Sequence, residues 1–143
     1  KLKELEKNID YKKTVVITSG DEFKKAKKED IALILRSIYK WKDAWKVSNI
    51  NEYLSFYSKE FKRSDRTDFN TFANKKKQVF AKNENKIINL YNMDISPYPN
   101  SLGKKIYRAV MDEEYYSPSV KFVGKKELFI EVANNKVQIL AED

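Results

Sequence analysis

Two charged side chains fall on strand faces that are otherwise apolar. In KKIYRAVMDEEYYS, strand alternation puts Tyr107, Ala109, Met111, Glu113, Tyr115 and Ser117 on one face and Arg108, Asp112 and Glu114 on the other. In KKELFIEVA, Lys126, Leu128, Ile130 and Val132 share the apolar face, with Lys125, Glu127, Phe129 and Glu131 opposite. Burying a charge is costly unless it is paired or hydrogen bonded, so an inward Glu113 and an inward Lys126 imply an ion pair, a hydrated pocket, or both. In a pocket, Lys126 would meet a carboxylate, Glu113 would accept from an ammonium or amide, and Tyr107, Tyr115 and Ser117 would line the wall. Gly124 precedes Lys125 and can disturb the pleat, which leaves Lys125 as the second candidate for the mouth. Trp41, Trp45, Tyr53 and Tyr57 recur at helical spacing and are read first as core formers.

The chain has neither cysteine nor histidine, which excludes disulfides, thiolate or imidazole metal sites, and Cys–His or Ser–His catalysis. A carboxylate or lysine mechanism is what remains; neither cofactor nor metal is expected. The net charge of +8 favours anionic partners. The excess is mainly lysine rather than an arginine patch, so nucleic acid is not the expected partner. No apolar run approaches the ~20 residues of a membrane span. No signal peptide opens the chain, and its start at Lys1 without methionine reads as a cut inside a longer protein.

The elements that must position these residues follow from periodicity. A short helix is expected at residues 2–9 and a strand at 14–18, then the charged segment GDEFKKAKKED as linker or helix lead-in. This divides the chain into 1–28, the end of an upstream domain and its linker, and 29–143, one compact domain of ordinary size. From Ile31, the residues Ile34, Leu35, Ile38, Trp41 and Trp45 define an amphipathic helix ending near Val47. Asn49 and Glu52 resemble a capping box, after which Ile50, Tyr53, Leu54, Tyr57 and Phe61 continue a second helical stripe. Thr67 or Asp68 can cap a third helix bearing Phe69, Phe72, Val79 and Phe80, with Lys75, Lys76 and Lys77 solvated. Four strands then follow in IINLYNMDI, KKIYRAVMDEEYYS, KKELFIEVA and KVQIL, most simply an antiparallel meander. The fold class is α+β, with three helices packed on a curved antiparallel sheet.

The pattern W-x3-W at Trp41 and Trp45, then Tyr53-x3-Tyr57-x3-Phe61, a third helix, and strands bearing Tyr115-x-Ser117 and Lys126-x-Leu128, resembles a nuclear-transport-factor-two-like cone domain over residues 29–143. The resemblance is to the version appended to shape-determining L,D-carboxypeptidases and related L,D-transpeptidase-fold enzymes of helical bacteria. KELEKNIDYKKTVVIT is similar to the closing helix and strand of their catalytic domain. That chemistry uses Cys and His, so the resemblance implies that the catalytic domain lies upstream and this chain is a non-catalytic accessory domain. It further implies a periplasmic or cell-envelope location, a role in cell shape, and a peptidoglycan stem as ligand, its carboxylates on Lys126 or Lys125 and sugar or peptide groups on tyrosine faces. Three alternatives stand beside it. Glu113 and Lys126 would form only an internal salt bridge closing the wide end of the cone; Glu113 would be the base of a cone-fold enzyme; or Phe129 and Tyr116 would present the outer sheet face to a partner protein or to a second copy in a homodimer.

Overall fold

The computed structural model describes the backbone from Asp21 and the side chains from Lys27, in both cases to Asp143. The helix and strand expected within residues 2–18 lie outside the described residues. Helix α1 spans Asp21–Lys46, so it begins before the expected start at Ile31. The segment ahead of Ile31 is rich in Glu, Lys and Ala, all good helix formers, and needs no apolar stripe to extend a helix already anchored further on. Its buried face carries Ile34, Ile38, Trp41 and Trp45. Ser48 turns the chain at φ 58°, and Asn49 starts α2, Ile50–Ser55. The Asn49 side chain accepts from the Glu52 backbone N–H at 3.2 Å and donates to the Glu52 carboxylate at 3.2 Å, a reciprocal cap.

The second helical stripe ends earlier than its spacing suggests. Tyr57–Arg63 is strand β1, paired in parallel with the last strand of the chain. A separation of four places Tyr57 and Phe61 on one side of a helix and also on one side of a strand, so local spacing does not distinguish the two. The distant partner strand does, through Ile139 N–H donating to the Phe56 carbonyl at 2.8 Å and the ladder beyond it. Helix α3, Phe69–Ala81, is capped by Asp68, whose carboxylate accepts from the Thr71 N–H at 2.9 Å. It buries Phe72, Ala73 and Phe80, whereas Val79 is exposed.

Strands β2 (Ile87–Pro97), β3 (Lys105–Tyr116), β4 (Lys121–Ala133) and β5 (Lys136–Glu142) form the expected antiparallel meander. The β4–β5 turn is Asn134–Asn135, both at positive φ (53° and 61°), as a tight hairpin requires. With β1 added in parallel, the sheet has five strands in the order β1-β5-β4-β3-β2 and is mixed rather than purely antiparallel. The α+β plan of three helices on one curved sheet holds.

The main core lies between the helices and the inner sheet face, where Trp41, Tyr53, Phe61, Phe72, Met111, Leu128 and Ile130 are almost fully enclosed. Burying each such side chain contributes roughly 1.5–3 kcal/mol. A smaller cluster on the outer face joins Ile106 and Phe129 to Tyr98, Leu140 and Ala141. Phe129, expected to be presented outward, is thus 3% exposed, with the Tyr98 ring 4.9 Å away and edge-on. The β2–β3 loop that brings Tyr98 over is held by Asn100, which donates to the Lys104 carbonyl at 2.8 Å and accepts from Leu102 N–H at 2.9 Å. Among the described residues no helix is long and apolar enough to cross a membrane.

Candidate functional site

Strand register brings Glu113 and Lys126 to the inner face, as alternation requires. Lys126 Nζ lies 3.5 Å from Glu113 Oε1 and 3.6 Å from Glu142 Oε1, and its side chain is only 13% exposed. Glu142 was not foreseen. Counting alternately from Ile139 turns Ala141 inward and Glu142 outward, but the ladder slips by one residue between Ile130↔Ile139 and Leu128↔Glu142. That irregularity turns the last glutamate of β5 into the core.

A polar chain reaches Glu142 from the helices. Trp41 Nε1–H donates to the Tyr57 hydroxyl at 3.1 Å, which lies 3.1 Å from Glu142 Oε1 and 3.0 Å from the Tyr53 hydroxyl. Tyr57 has one proton, and the charged carboxylate is its stronger acceptor; the Tyr53 proton can then complete the remaining contact. Arg63 Nη1 stands 3.9 Å from Glu142 Oε2. Burial by itself would push the Glu142 carboxyl up, but Lys126, Lys76, Arg63 and the Tyr57 hydroxyl hold it below the usual glutamate range. Burial, and then the Glu142 charge, push both Tyr53 and Tyr57 well above the usual phenol range, so both stay neutral.

Lys76, expected to be solvated, takes a different place. It is half-buried, with Nζ 5.7 Å from the Trp45 ring centroid, 5.9 Å from Tyr53 and 5.6 Å from Phe72. The signal was present, because Lys76 stands four residues after Phe72 and four before Phe80 and therefore continues their stripe. No described carboxylate lies within 4.0 Å of its ammonium, and burial lowers its affinity for a proton. Lys126 Nζ is 5.9 Å from both the Trp41 and Trp45 rings, so the two lysines share the Trp45 indole. Tyr115 stacks on Trp45 at 5.3 Å and 16°. In this cluster Lys76, Lys126 and Arg63 face Glu113 and Glu142, which leaves one positive charge over. An aromatic wall with surplus cationic charge is suited to an anion.

The other expected site residues lie apart. Lys125 is on the outer face, 2.9 Å from Asp112 and well exposed, because the pleat continues undisturbed through Gly124. Tyr107 is at the far end of β3, where its hydroxyl donates to buried Asp30 at 2.6 Å and Lys105 stands 3.4 Å from the same carboxylate. Burial and the Asp30 charge push the Tyr107 phenol up. Ser117 sits in the β3–β4 turn, accepting from Val120 N–H at 3.1 Å. Of the six expected residues, the fold gathers Lys126, Glu113 and Tyr115 and leaves out Lys125, Tyr107 and Ser117.

Residues 33–143 match the family model described as the Cds6 C-terminal NTF2-like domain. The chain is similar to a lysine-to-alanine variant of the helical cell shape determining protein Pgp2 from Campylobacter jejuni. The two share 41% identity over 79% of this chain and 40% of that one, with a TM-score of 0.77. It is similar in fold to Bd1075 from Bdellovibrio bacteriovorus (18% identity, 87% of this chain and 42% of that one, TM-score 0.69). It also shares its fold with an NTF2-like protein of unknown function from Pseudomonas putida (10% identity, 76% and 80%, TM-score 0.60). The chain spans less than half the length of the first two. No curated protein matches it.

Proposed function

The chain belongs to the family of the Cds6 C-terminal NTF2-like domain, related to a cell-shape determinant, and on that premise we propose that it is a non-catalytic accessory domain that binds a peptidoglycan fragment in the cell envelope. The bound fragment positions an attached L,D-carboxypeptidase on its substrate. The observation that carries this reading is the pair of ammoniums, half-buried Lys76 and largely buried Lys126, set against aromatic faces with one cation in excess of the carboxylates. A stem-peptide carboxylate entering between them would gain a charge-assisted bond in a partly desolvated setting. Lys126 is already shared by two glutamates, so Lys76 carries the larger share of the new contact.

An enzymatic reading is weaker on physical grounds. Glu113, the base that reading requires, is enclosed and stands 3.5 Å from the Lys126 ammonium, so its carboxylate is engaged by an ion pair rather than open to a substrate proton. Incubation of the chain with stem tetrapeptide is therefore expected to leave it intact, as chromatography of the products would reveal; reproducible release of terminal D-alanine would overturn the non-catalytic assignment.

The binding role is tested by titrating purified muropeptide into Lys76→Ala. Because Lys76 stands beyond ion-pair distance of every described carboxylate, and Glu142 keeps Lys126 and Arg63 beside it, the fold should change by no more than about 1 kcal/mol, while binding weakens about tenfold, as expected for loss of a charge-assisted contact. Wild-type affinity in the variant would exclude this cluster as the binding site.

A further inference from the structure

Gly124 is the fourth residue of β4 and has no backbone need to be glycine, since its φ lies outside the left-handed region. Glycine inside a strand ordinarily weakens it. What the missing side chain provides is room: a Cβ built there would stand 2.8 Å from Cζ of Phe122 and 3.3 Å from Cε2. The far edge of the Phe122 ring therefore lies down on the bare backbone of Gly124, an arrangement in which an aromatic covers a strand glycine. Phe122 nevertheless stays 45% exposed. Across the ladder it is paired with Tyr115, and Gly124 with Glu113. Tyr115 in turn stacks on Trp45, against which Lys76 and Lys126 both rest.

We propose that Phe122, seated over Gly124 beside Tyr115, is a subsite for the apolar face of a pyranose ring, continuous with the Lys76–Lys126 cluster. This rests on the peptidoglycan reading and names the second half of the ligand. A pyranose has a flat C–H face and polar edges, which matches an exposed ring that shares the inner sheet face with Glu113, Tyr115 and Lys126. Phe122 and Lys126 are four residues apart on one strand, about 13 Å. That is the scale of a sugar joined to a short acidic peptide, so one muropeptide can place its carboxylate on the lysines and its sugar on the phenylalanine. The continuity with a cation cluster favours this occupant over a second copy of the chain, whose own charge of +8 would be brought toward the same lysines.

The test uses the 143-residue chain and two probes that separate the halves of the ligand: a β-1,4-linked N-acetylglucosamine tetrasaccharide, which has no carboxylate, and a free stem tetrapeptide, which has no sugar. The tetrasaccharide should shift the amide resonances of Phe122, Gly124 and Tyr115. A disaccharide-peptide should bind about three- to tenfold more tightly than the free peptide, the range expected of one aromatic contact. Phe122→Ala should erase that preference and leave the peptide affinity unchanged. Gly124→Ala should do the same with the fold intact, because the clash it creates is with the free end of a side chain. No sugar-induced shift, or a preference that survives in both variants, overturns the platform whatever the peptide does. Sugar binding without peptide binding would uphold it and remove the anion assignment instead.

Discussion

Lys126→Ala should cost about 3–5 kcal/mol of folding stability, the range for stripping one partner from a buried ion pair. The chain as a whole is expected to be stable by roughly 5–15 kcal/mol, so the variant would unfold at much lower denaturant. The reason is the sharing of one ammonium between Glu113 and Glu142, both on the inner face and both enclosed. Removing it leaves two carboxylates with Lys76 and Arg63 as their remaining cations, neither at contact distance of Glu113. The pH dependence follows from Glu142. Its folded-state affinity for a proton is lowered, so in the wild type it contributes stability that is present above the ordinary value of 4.5 and lost as pH falls through the folded value. In Lys126→Ala, burial is no longer offset by the strongest cation, the carboxyl moves up, and protonation relieves the strain. The stability gap between the two proteins should therefore narrow as the solution is acidified from neutral pH toward 4. Chemical denaturation at several pH values measures it; a gap that stays constant would show that Glu142 is not the group left exposed to the loss.

Tyr57→Phe removes one oxygen atom and should still cost about 2–4 kcal/mol, more than most core substitutions that conserve shape. That oxygen receives Trp41 Nε1–H, contacts the Tyr53 hydroxyl and donates to Glu142. Each of these groups is buried, so each donor or acceptor that loses its partner contributes a penalty of ~1–3 kcal/mol, offset in part at Glu142 by the Lys126 and Arg63 it keeps. The packing of the ring itself against Phe61 and Phe72, at 4.9 Å in both cases, is unchanged by the substitution. Thermal unfolding of Tyr57→Phe beside Tyr53→Phe separates the hub from a branch: Tyr53 has one of these contacts, so its loss should be the smaller of the two. Equal losses would show that Tyr57 is not the centre of the chain.

Legible in the residues alone were the class of fold, the helix starts at Asn49 and Asp68, and the four-strand meander, whereas α1 begins at Asp21, ten residues before the expected Ile31. Legible too was which face of β3 and β4 each side chain takes. Those follow from local rules, namely capping atoms, turn residues and a period of two, none of which depends on distant contacts. Lys126 and Glu113 were legible for that reason. Lys76 was legible in principle, on the Phe72–Phe80 stripe, but its place within the run KKK suggested a solvated face, and only the packing of α3 over Trp45 decided otherwise. Three features came from contacts between distant segments. The segment Tyr57–Arg63 became a strand because β5 offered it a parallel partner from the other end of the chain. Phe129 was covered because the loop after β2 folds Tyr98 across the outer face. Glu142 joined the cluster because a one-residue slip between β4 and β5 exchanged the two faces of the last strand. In each case the deciding contact joins residues far apart in sequence, and periodicity carries no information about such pairings or about where a ladder breaks step.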